Sequence, residues 1–263
     1  MWIMTKDTPV AAICLIGDEL LSGRTQDTNT QTIARFLAPF GIPLGEVRMV
    51  PDDHSRIIEA VNALRHRYDY VFTTGGIGPT HDDITADAIA AAFEVGISEN
   101  ADALRLLEDR YRDADVAFTP ARRRMARIPH SADLIQNPVS GAPGFQIGNV
   151  LTLAGVPKIV EGMLSDVGHR LQGGRVVLSV TVKAGGLREG DLAERLGLLA
   201  EAYADLTLGS YPWFRSAEDH GVALVVRGTD HTRLTDAASD LEGLVEDFGG
   251  VPTRMEGDSR FGD

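Results

Sequence analysis

Residues 74–85 constrain this chain more than any other stretch. They read Thr74-Gly75-Gly76-Ile77-Gly78-Pro79-Thr80-His81-Asp82-Asp83-Ile84-Thr85. A short apolar run at 70–74 leads into them, and an Ala-rich helix is expected over 85–93. A strand that enters a glycine-rich turn and leaves as a helix is the building unit of parallel sheets. Parallel neighbours need a crossover connection, usually a helix. Ligands of such open sheets sit outside the carboxyl ends of the strands. Glycines there let backbone N–H groups approach an anion without a Cβ in the way. The start of the following helix adds partial positive charge.

The first 170 or so residues keep the same alternation. Residues 10–16 form an apolar run, as expected for a strand covered on both faces. Residues 29–40 put Ile33, Phe36, Leu37 and Phe40 on one helical stripe, and a strand is expected at 45–50. A helix over 55–67 carries Ile57, Ile58, Val61 and Leu64 on one face, with Ser55 as its N-cap. Helices follow at 101–113 and 119–126, short strands at 132–135 and 144–147, and a strand at 149–153. Gly155-Val156-Pro157 opens the next helix. This order predicts an α/β fold: a mostly parallel sheet between two layers of helices. Gln172-Gly173-Gly174 reads as a boundary. Beyond it come strands at 175–183, 206–210 and 221–227 and helices at 189–204 and 232–248. The last helix points Leu234, Ala237, Ala238, Leu241 and Leu244 inward. That is a small α+β domain with its helices on one face. The expected division is 1–171, 172–255 and a loose polar tail at 256–263.

Charge and cysteine content narrow the function classes. Lys and Arg total 25 against 38 Asp and Glu, a net charge of −13. That opposes nonspecific adhesion to nucleic acid or an anionic membrane, but not capture of a small anion by backbone N–H groups. The apolar run at 9–17 is too short to span a bilayer, and the N-terminus lacks an export-signal pattern. One cysteine, Cys14, forms no internal disulfide, and it falls in an expected core strand. A cytoplasmic protein with an inert core thiol is expected.

Three clusters carry possible chemistry. The segment 74–85 is neither a Walker A loop, lacking its Gly-Lys-Ser/Thr, nor a dinucleotide fingerprint. Thr74, Gly75, Gly76 and Gly78 are placed to cradle a phosphate, with Thr80 and Thr85 adding hydroxyls or capping the helix. Asp82 and Asp83 would repel that phosphate unless a hard divalent cation bridged them. Mg²⁺ is expected, with Mn²⁺ or Co²⁺ as alternatives. The second cluster is Gly17-Asp18-Glu19-Leu20-Leu21 at the end of the first strand, followed by Asp27-Thr28-Asn29. If the two loops lie side by side, Asp18, Glu19, Asp82 and Asp83 share one crevice. Four carboxylates there require a cation or raised pKa values. The competing reading is solvated loop charges, with Asp27 or Thr28 capping a helix. The third cluster is the pair of loops 137–144 and Gly155-Val156-Pro157. The run Arg122-Arg123-Arg124, with Arg127, could meet phosphates, but a solvated helix face is the favoured reading.

Taken together, these segments resemble the MoaB/Mog-type molybdopterin-binding family, and within it the N-terminal region of CinA-type proteins. The resemblance covers about residues 10–165. The part beyond it resembles the KH-like domain next in CinA-type chains. The resemblance implies that a pterin or nucleotide phosphate binds at the glycine-rich loop, with Gly17, Asn29, Ser140, Gly141, Gly144 and Gly155 as further contacts. Mog-type proteins adenylylate molybdopterin with Mg-ATP. CinA-like proteins and the related domain of eukaryotic FAD synthases are linked to metal-dependent cleavage of pyrophosphates such as ADP-ribose or FAD. Asp82 stands where Mog-type proteins carry Arg, which favours the CinA-like branch. Asp83 matches an acidic position shared by both.

The chain departs from the CinA-like pattern at Ser140-Gly141-Ala142-Pro143-Gly144, where Gly-Thr-Ala-Pro-Gly is usual. It departs again at Ala154-Gly155-Val156-Pro157-Lys158-Ile159, where Pro-Gly-Val-Pro-Ser-Glu is usual. The leading expectation is a divalent-metal-dependent pyrophosphatase acting on a nucleotide diphosphate compound. Asp82 and Asp83 would be catalytic, and Asp82, Asp83, Asp18 and Glu19 would hold the metal. A molybdopterin adenylyltransferase is the alternative, as is a binding module without turnover, which the departures favour. The expected partner is a small phosphorylated nucleotide or pterin, with no nucleic acid or membrane, in a homodimer. A nucleic-acid KH module needs its G-x-x-G loop between two helices, whereas Gly186 to Gly190 falls between a strand and a helix.

Overall fold

In the computed structural model, which describes residues 8–257, every residue of strand β1 (Ala11–Ile16) is buried. Its alternating side chains feed two cores, as the two-residue period of a strand requires. Ala12, Cys14 and Ile16 face one layer and Ala11, Ile13 and Leu15 the other. After β1 come the single turn α1 (Asp18–Leu21), helix α2 (Asn29–Leu37), β2 (Leu44–Val50), α3 (His54–Arg65), β3 (Tyr70–Thr74) and α4 (Thr85–Ala92). Then follow β4 (Ile97–Glu99), α5 (Ala101–Asp113), α6 (Pro120–Arg123), β5 (Arg127–Pro129), β6 (Asp133–Ile135), β7 (Gly144–Ile147), β8 (Val150–Leu153) and α7 (Pro157–Leu164). The six-stranded sheet has the order β2-β1-β3-β8-β7-β6. The first four strands are parallel, β7 runs antiparallel to β8, and β6 runs antiparallel to β7. Ile57, Leu64, Ile89 and Leu107 from α3, α4 and α5 pack on one face. Ile33, Leu37, Val160 and Met163 from α2 and α7 pack on the other. This is the expected α/β fold with a mostly parallel sheet between helical layers.

The register decides where chemistry can happen. Leu15 pairs with both Met49 and Thr74, and Thr74 pairs with Leu153. Four parallel strands therefore end level, and the loops after β1, β2, β3 and β8 open on one side.

Several local expectations are corrected. Helix α3 begins at His54, not beyond Ser55. Its N-cap is Asp53, whose carboxylate accepts from the Arg56 N–H at 3.0 Å and from the Ser55 hydroxyl at 2.6 Å. An ionised carboxylate is the stronger acceptor of the two candidate caps. The helix expected over 29–40 ends at Leu37 and tightens into a 3-10 turn at Ala38–Phe40, where Pro39 has no N–H to continue it. The one expected over 119–126 likewise divides into α6 and a 3-10 turn at Arg124–Ala126. The antiparallel pair β4–β5 was not anticipated.

The described residues divide into two units between Gly174 and Arg175. The second unit contains β9 (Leu178–Gly185), α8 (Glu189–Ala202), β10 (Thr207–Phe214), β11 (His220–Gly228), α9 (His231–Asp247) and β12 (Pro252–Glu256). All its strands are antiparallel, in the order β10-β11-β9-β12. Val180, Val182, Val222, Leu224 and Val226 share a core with Leu192 of α8 and with Leu234, Ala237, Ala238, Leu241 and Leu244 of α9. The fourth strand is a correction. Glu256 pairs with Val180 and so belongs to β12, not to a loose tail. The rest of that expected tail, from residue 258, lies outside the described residues. Among the described residues, no helix is long and apolar enough to cross a membrane.

Cys14 sits fully buried in the centre of the sheet, and burial pushes its thiol up to about 12. Only the thiolate is reactive. At pH 8, the native protein is expected to leave a thiol-specific chromogenic reagent unreacted, whereas denaturant exposes one thiol per chain. Rapid labelling of the native protein would contradict this packing.

Candidate functional site

The loops at the carboxyl ends of β1, β2, β3 and β8 converge. Gly75 donates its N–H to Leu153 O at 3.3 Å, and Gly17 donates to Val50 O at 3.1 Å. Gly75 has a φ of 102°, and a Cβ there would strike the carbonyl oxygen of Ile16. Gly76 follows with a φ of 65°, and a Cβ there would strike Thr85 Oγ1. Only glycine fits both demands at these positions. The Thr85 N–H returns to Gly76 O at 3.0 Å and so ties the start of α4 beneath the loop.

Helices α2, α3, α4 and α7 begin on this side. The N-cap residues of α4 and α7 are Ile84 and Val156, neither of which offers a capping oxygen. No side chain therefore covers the positive end of either helix; in α4 the N–H of Thr85 is taken by Gly76 O, and the N–H groups that follow it, of Ala86 and Asp87, are the donors not met by a cap. Unpartnered oxygens accompany them. The buried side-chain atoms without a hydrogen bond among the described residues are Asn29 Oδ1, Thr30 Oγ1 and Thr85 Oγ1. All three belong to the opening turns of α2 and α4. Asn29 also donates from Nδ2 to Gly155 O at 2.8 Å, joining α2 to the β8–α7 turn.

The carboxylates fall into two groups rather than one. Asp52, just after β2, accepts from the Asp18 N–H at 3.0 Å. Burial holds its carboxyl above the ordinary range, the Asp18 N–H works against this, and the charges of Glu19, Asp18 and Asp82 reinforce it. Glu19 folds its carboxylate back towards Gly17. Asp83 lies in the second group. Its Oδ2 accepts from the Thr80 N–H at 2.7 Å and from the Thr80 hydroxyl at 2.5 Å, which closes the turn. It lines a groove with Gly76, Gly78, Asp87 and Arg124.

A divalent cation is expected for a site of this composition. Among the described residues, no group of three His, Cys, Asp or Glu side chains could by itself hold a metal ion. The donors fit a hard cation that arrives with its ligand, as Mg²⁺ does when one or two carboxylates and substrate phosphates bind it. They do not fit a resident ion caged by protein alone.

Other expected contacts lie elsewhere. Thr74 is buried at the end of β3. Ser140 is held by Asn137, which donates from Nδ2 to its hydroxyl at 2.6 Å and accepts its N–H at 3.1 Å. Gly141 packs near Arg110, and Gly144 is buried between Thr152 and Met163. Of that loop, Pro143 reaches the groove. Three of the four arginines are tied down. Arg123 makes a two-pronged pair with Glu99, Arg127 makes one with Asp87, and Arg122 lies 4.7 Å over the Tyr111 ring. Sequence reasoning passed over Asp52 and Asp87. Asp52 had a usable signal: it follows the last residues of a strand at the ligand-bearing end.

Residues 12–173 match the family described as "Probable molybdopterin binding domain", and residues 179–251 match "FAD synthase, middle domain". A CinA-like protein of Gloeobacter violaceus is 35% identical over 72% of this chain and 46% of its own length. One from Geobacter metallireducens is 33% identical over 94% of this chain and 62% of its own. The chain thus spans about half to three fifths of these relatives. A crystal structure of CinA from Thermoplasma acidophilum, a protein titled as of unknown function, has 35% identity and a TM-score of 0.57. The likeness covers 62% of this chain and 98% of that one.

The raised Asp52 carboxyl has a consequence for stability. A carboxyl that binds its proton more tightly folded than unfolded lowers stability once ionised. The cost grows as pH rises from the unfolded pKa, near about 3.9, through the folded one. Asp52→Asn keeps an acceptor for the Asp18 N–H and removes the charge. At pH 7 its urea midpoint is expected above the parent's, with an unfolding free energy larger by less than about 1 kcal/mol given solvent screening. The two midpoints should converge towards pH 4. A midpoint below the parent's at pH 7 would contradict the crowding of charge around Asp52.

Proposed function

The chain belongs to the molybdopterin-binding domain family, and from that premise we propose that it binds a phosphorylated nucleotide or pterin at the glycine-rich loop and hydrolyses the pyrophosphate of a nucleotide diphosphate compound such as ADP-ribose or FAD. One observation carries the binding part. The buried oxygens without partners, Asn29 Oδ1, Thr30 Oγ1 and Thr85 Oγ1, all lie where two helices open beside the glycine turn. A buried polar atom without a partner costs about 1–3 kcal/mol, so their grouping at this end suits a ligand that supplies the missing bonds.

In this reading the N–H groups of the glycine turn and of the uncapped first turn of α4 hold a phosphate. Thr85 Oγ1 donates to it from below. Asn29 Oδ1 accepts from a hydroxyl or amide of the attached group, while its Nδ2 keeps the β8–α7 turn in place. Asp83 is held by Thr80 through Oδ2, and its Oδ1 orients and deprotonates the attacking water. Asp82 and Asp52, with Asp18 and Glu19 near them, would hold a divalent cation, which when bound neutralises charge on the bridging oxygens. The match of residues 179–251 to the middle domain of FAD synthase supports a nucleotide diphosphate as substrate. The match of residues 12–173 to a molybdopterin-binding domain supports a pterin as ligand, and a second reading is that this pterin is adenylylated.

The test is AMP release from ADP-ribose and from FAD with Mg²⁺, Mn²⁺ or Co²⁺. The parent protein should release AMP. Asp83→Asn, which keeps an oxygen for Thr80, should lower kcat by about 100-fold or more. No AMP with any of the three cations would overturn hydrolysis, and pyrophosphate release from ATP with a pterin would put adenylyl transfer in its place.

A further inference from the structure

We propose that Arg124 is the distal phosphate contact of the site: it pairs with the second phosphate of a diphosphate-bearing ligand whose first phosphate lies on the glycine-rich loop. The proposal rests on reading that loop as a phosphate site, and it identifies which ligands the site prefers.

The observation behind it is a difference among neighbouring arginines. Arg122, Arg123, Arg124 and Arg127 come from one short stretch, α6, its 3-10 extension and the start of β5. Arg123 is engaged by Glu99 through Nε and Nη2, each at 2.7 Å. Arg127 is engaged by Asp87 at 2.6 and 2.9 Å. Arg122 lies over the Tyr111 ring and donates to the carbonyl of Ala117. Arg124 has no side-chain hydrogen bond, ion pair or ring contact with any described residue, although it lines the groove that Gly76, Gly78 and Asp83 also line.

The local charge balance gives this arginine a task. The Asp87 carboxylate facing the groove is neutralised by Arg127. The Asp83 carboxylate accepts two hydrogen bonds from Thr80 at Oδ2, which keeps it turned into its own loop. Arg124 is therefore the cation of this wall that no carboxylate pairs with among the described residues. A guanidinium presents a fork of donors that matches two phosphate oxygens at once. Ile77, Met125, Ile128 and Phe145 form the apolar parts of the same groove and contribute no competing polar side chain. An anion on the loop needs only backbone N–H groups. One that extends along the groove reaches the guanidinium. The site would thus separate diphosphates from monophosphates by a single side chain.

Calorimetric titration with AMP and with ADP in magnesium buffer tests this. The proteins to compare are the parent, Arg124→Ala, Arg124→Lys and Arg123→Ala. A charge-assisted pair is worth about 10- to 150-fold in affinity. Arg124→Ala should therefore bind ADP at least about tenfold more weakly than the parent while AMP changes by less than about twofold. Arg124→Lys should recover part of the loss, as a point charge does, and Arg123→Ala should behave as the parent. Tight parental binding of ADP that Arg124→Ala leaves unchanged, or equal losses for AMP and ADP, would overturn the assignment to Arg124 alone. A parent protein that binds neither nucleotide would overturn the phosphate reading of the loop and this assignment with it.

Discussion

The ligand-bearing end of the sheet depends on the path of the chain at Gly75. Strands β1 and β3 are parallel neighbours, and β3 ends against the carbonyl oxygen of Ile16. Any side chain at residue 75 would meet that oxygen, so the chain leaves the sheet only through glycine in a positive-φ conformation. Gly76 then passes above Thr85, whose N–H closes back onto it. The loop is thereby pressed against the ends of the central strands, with the start of α4 directly under it. A side chain in either position would lift the loop away and remove the place where backbone donors, helix ends and carboxylates meet.

The same end of the sheet carries features that do not favour stability. Two helices begin at Ile84 and Val156 without a capping side chain, where Ser, Thr, Asp or Asn would contribute about 1 kcal/mol. Three buried oxygens lack partners among the described residues, and burial and neighbouring carboxylates raise the Asp52 carboxyl. The chain does cap other helices: α3 with Asp53 at this same end, and α5, α6 and α9 with Asn100, Thr119 and Asp230, all of which accept from first-turn N–H groups. Uncapped helix starts and unpartnered oxygens gathered beside the glycine turn are the pattern of a site shaped for something that binds there. The fully buried β1 and the two cores on its faces supply the surplus that tolerates it.

Much of this was legible in the sequence where the signal was local. The apolar run of β1, the turn after Thr74 and the inward stripe of α9 each declare themselves within a dozen or so residues. Features that stayed hidden depended on distant partners. Strands β4, β5 and β12 are short, and their pairing with chain far along the sequence decides their existence. Asp52 and Asp53 are adjacent carboxylates that spacing alone does not tell apart. In the structure Asp53 caps α3 while Asp52 turns towards Asp18, a division that spacing does not reveal. The arginine run read as a solvated face, yet Glu99 and Asp87, 24 and 40 residues from their partners, engage two of its members. Ser140 and Gly144 drew attention as loop residues, and both serve the packing of their own segment.

Amide hydrogen exchange with and without ADP-ribose and Mg²⁺ tests the central claim most directly: that the carboxyl ends of the parallel strands receive a phosphorylated ligand. Saturating ligand should slow exchange across residues 75–87 and at the opening turns of α2 and α7, and leave residues 178–256 unchanged. Protection confined to residues 178–256, or none at a concentration shown to saturate binding, would contradict it.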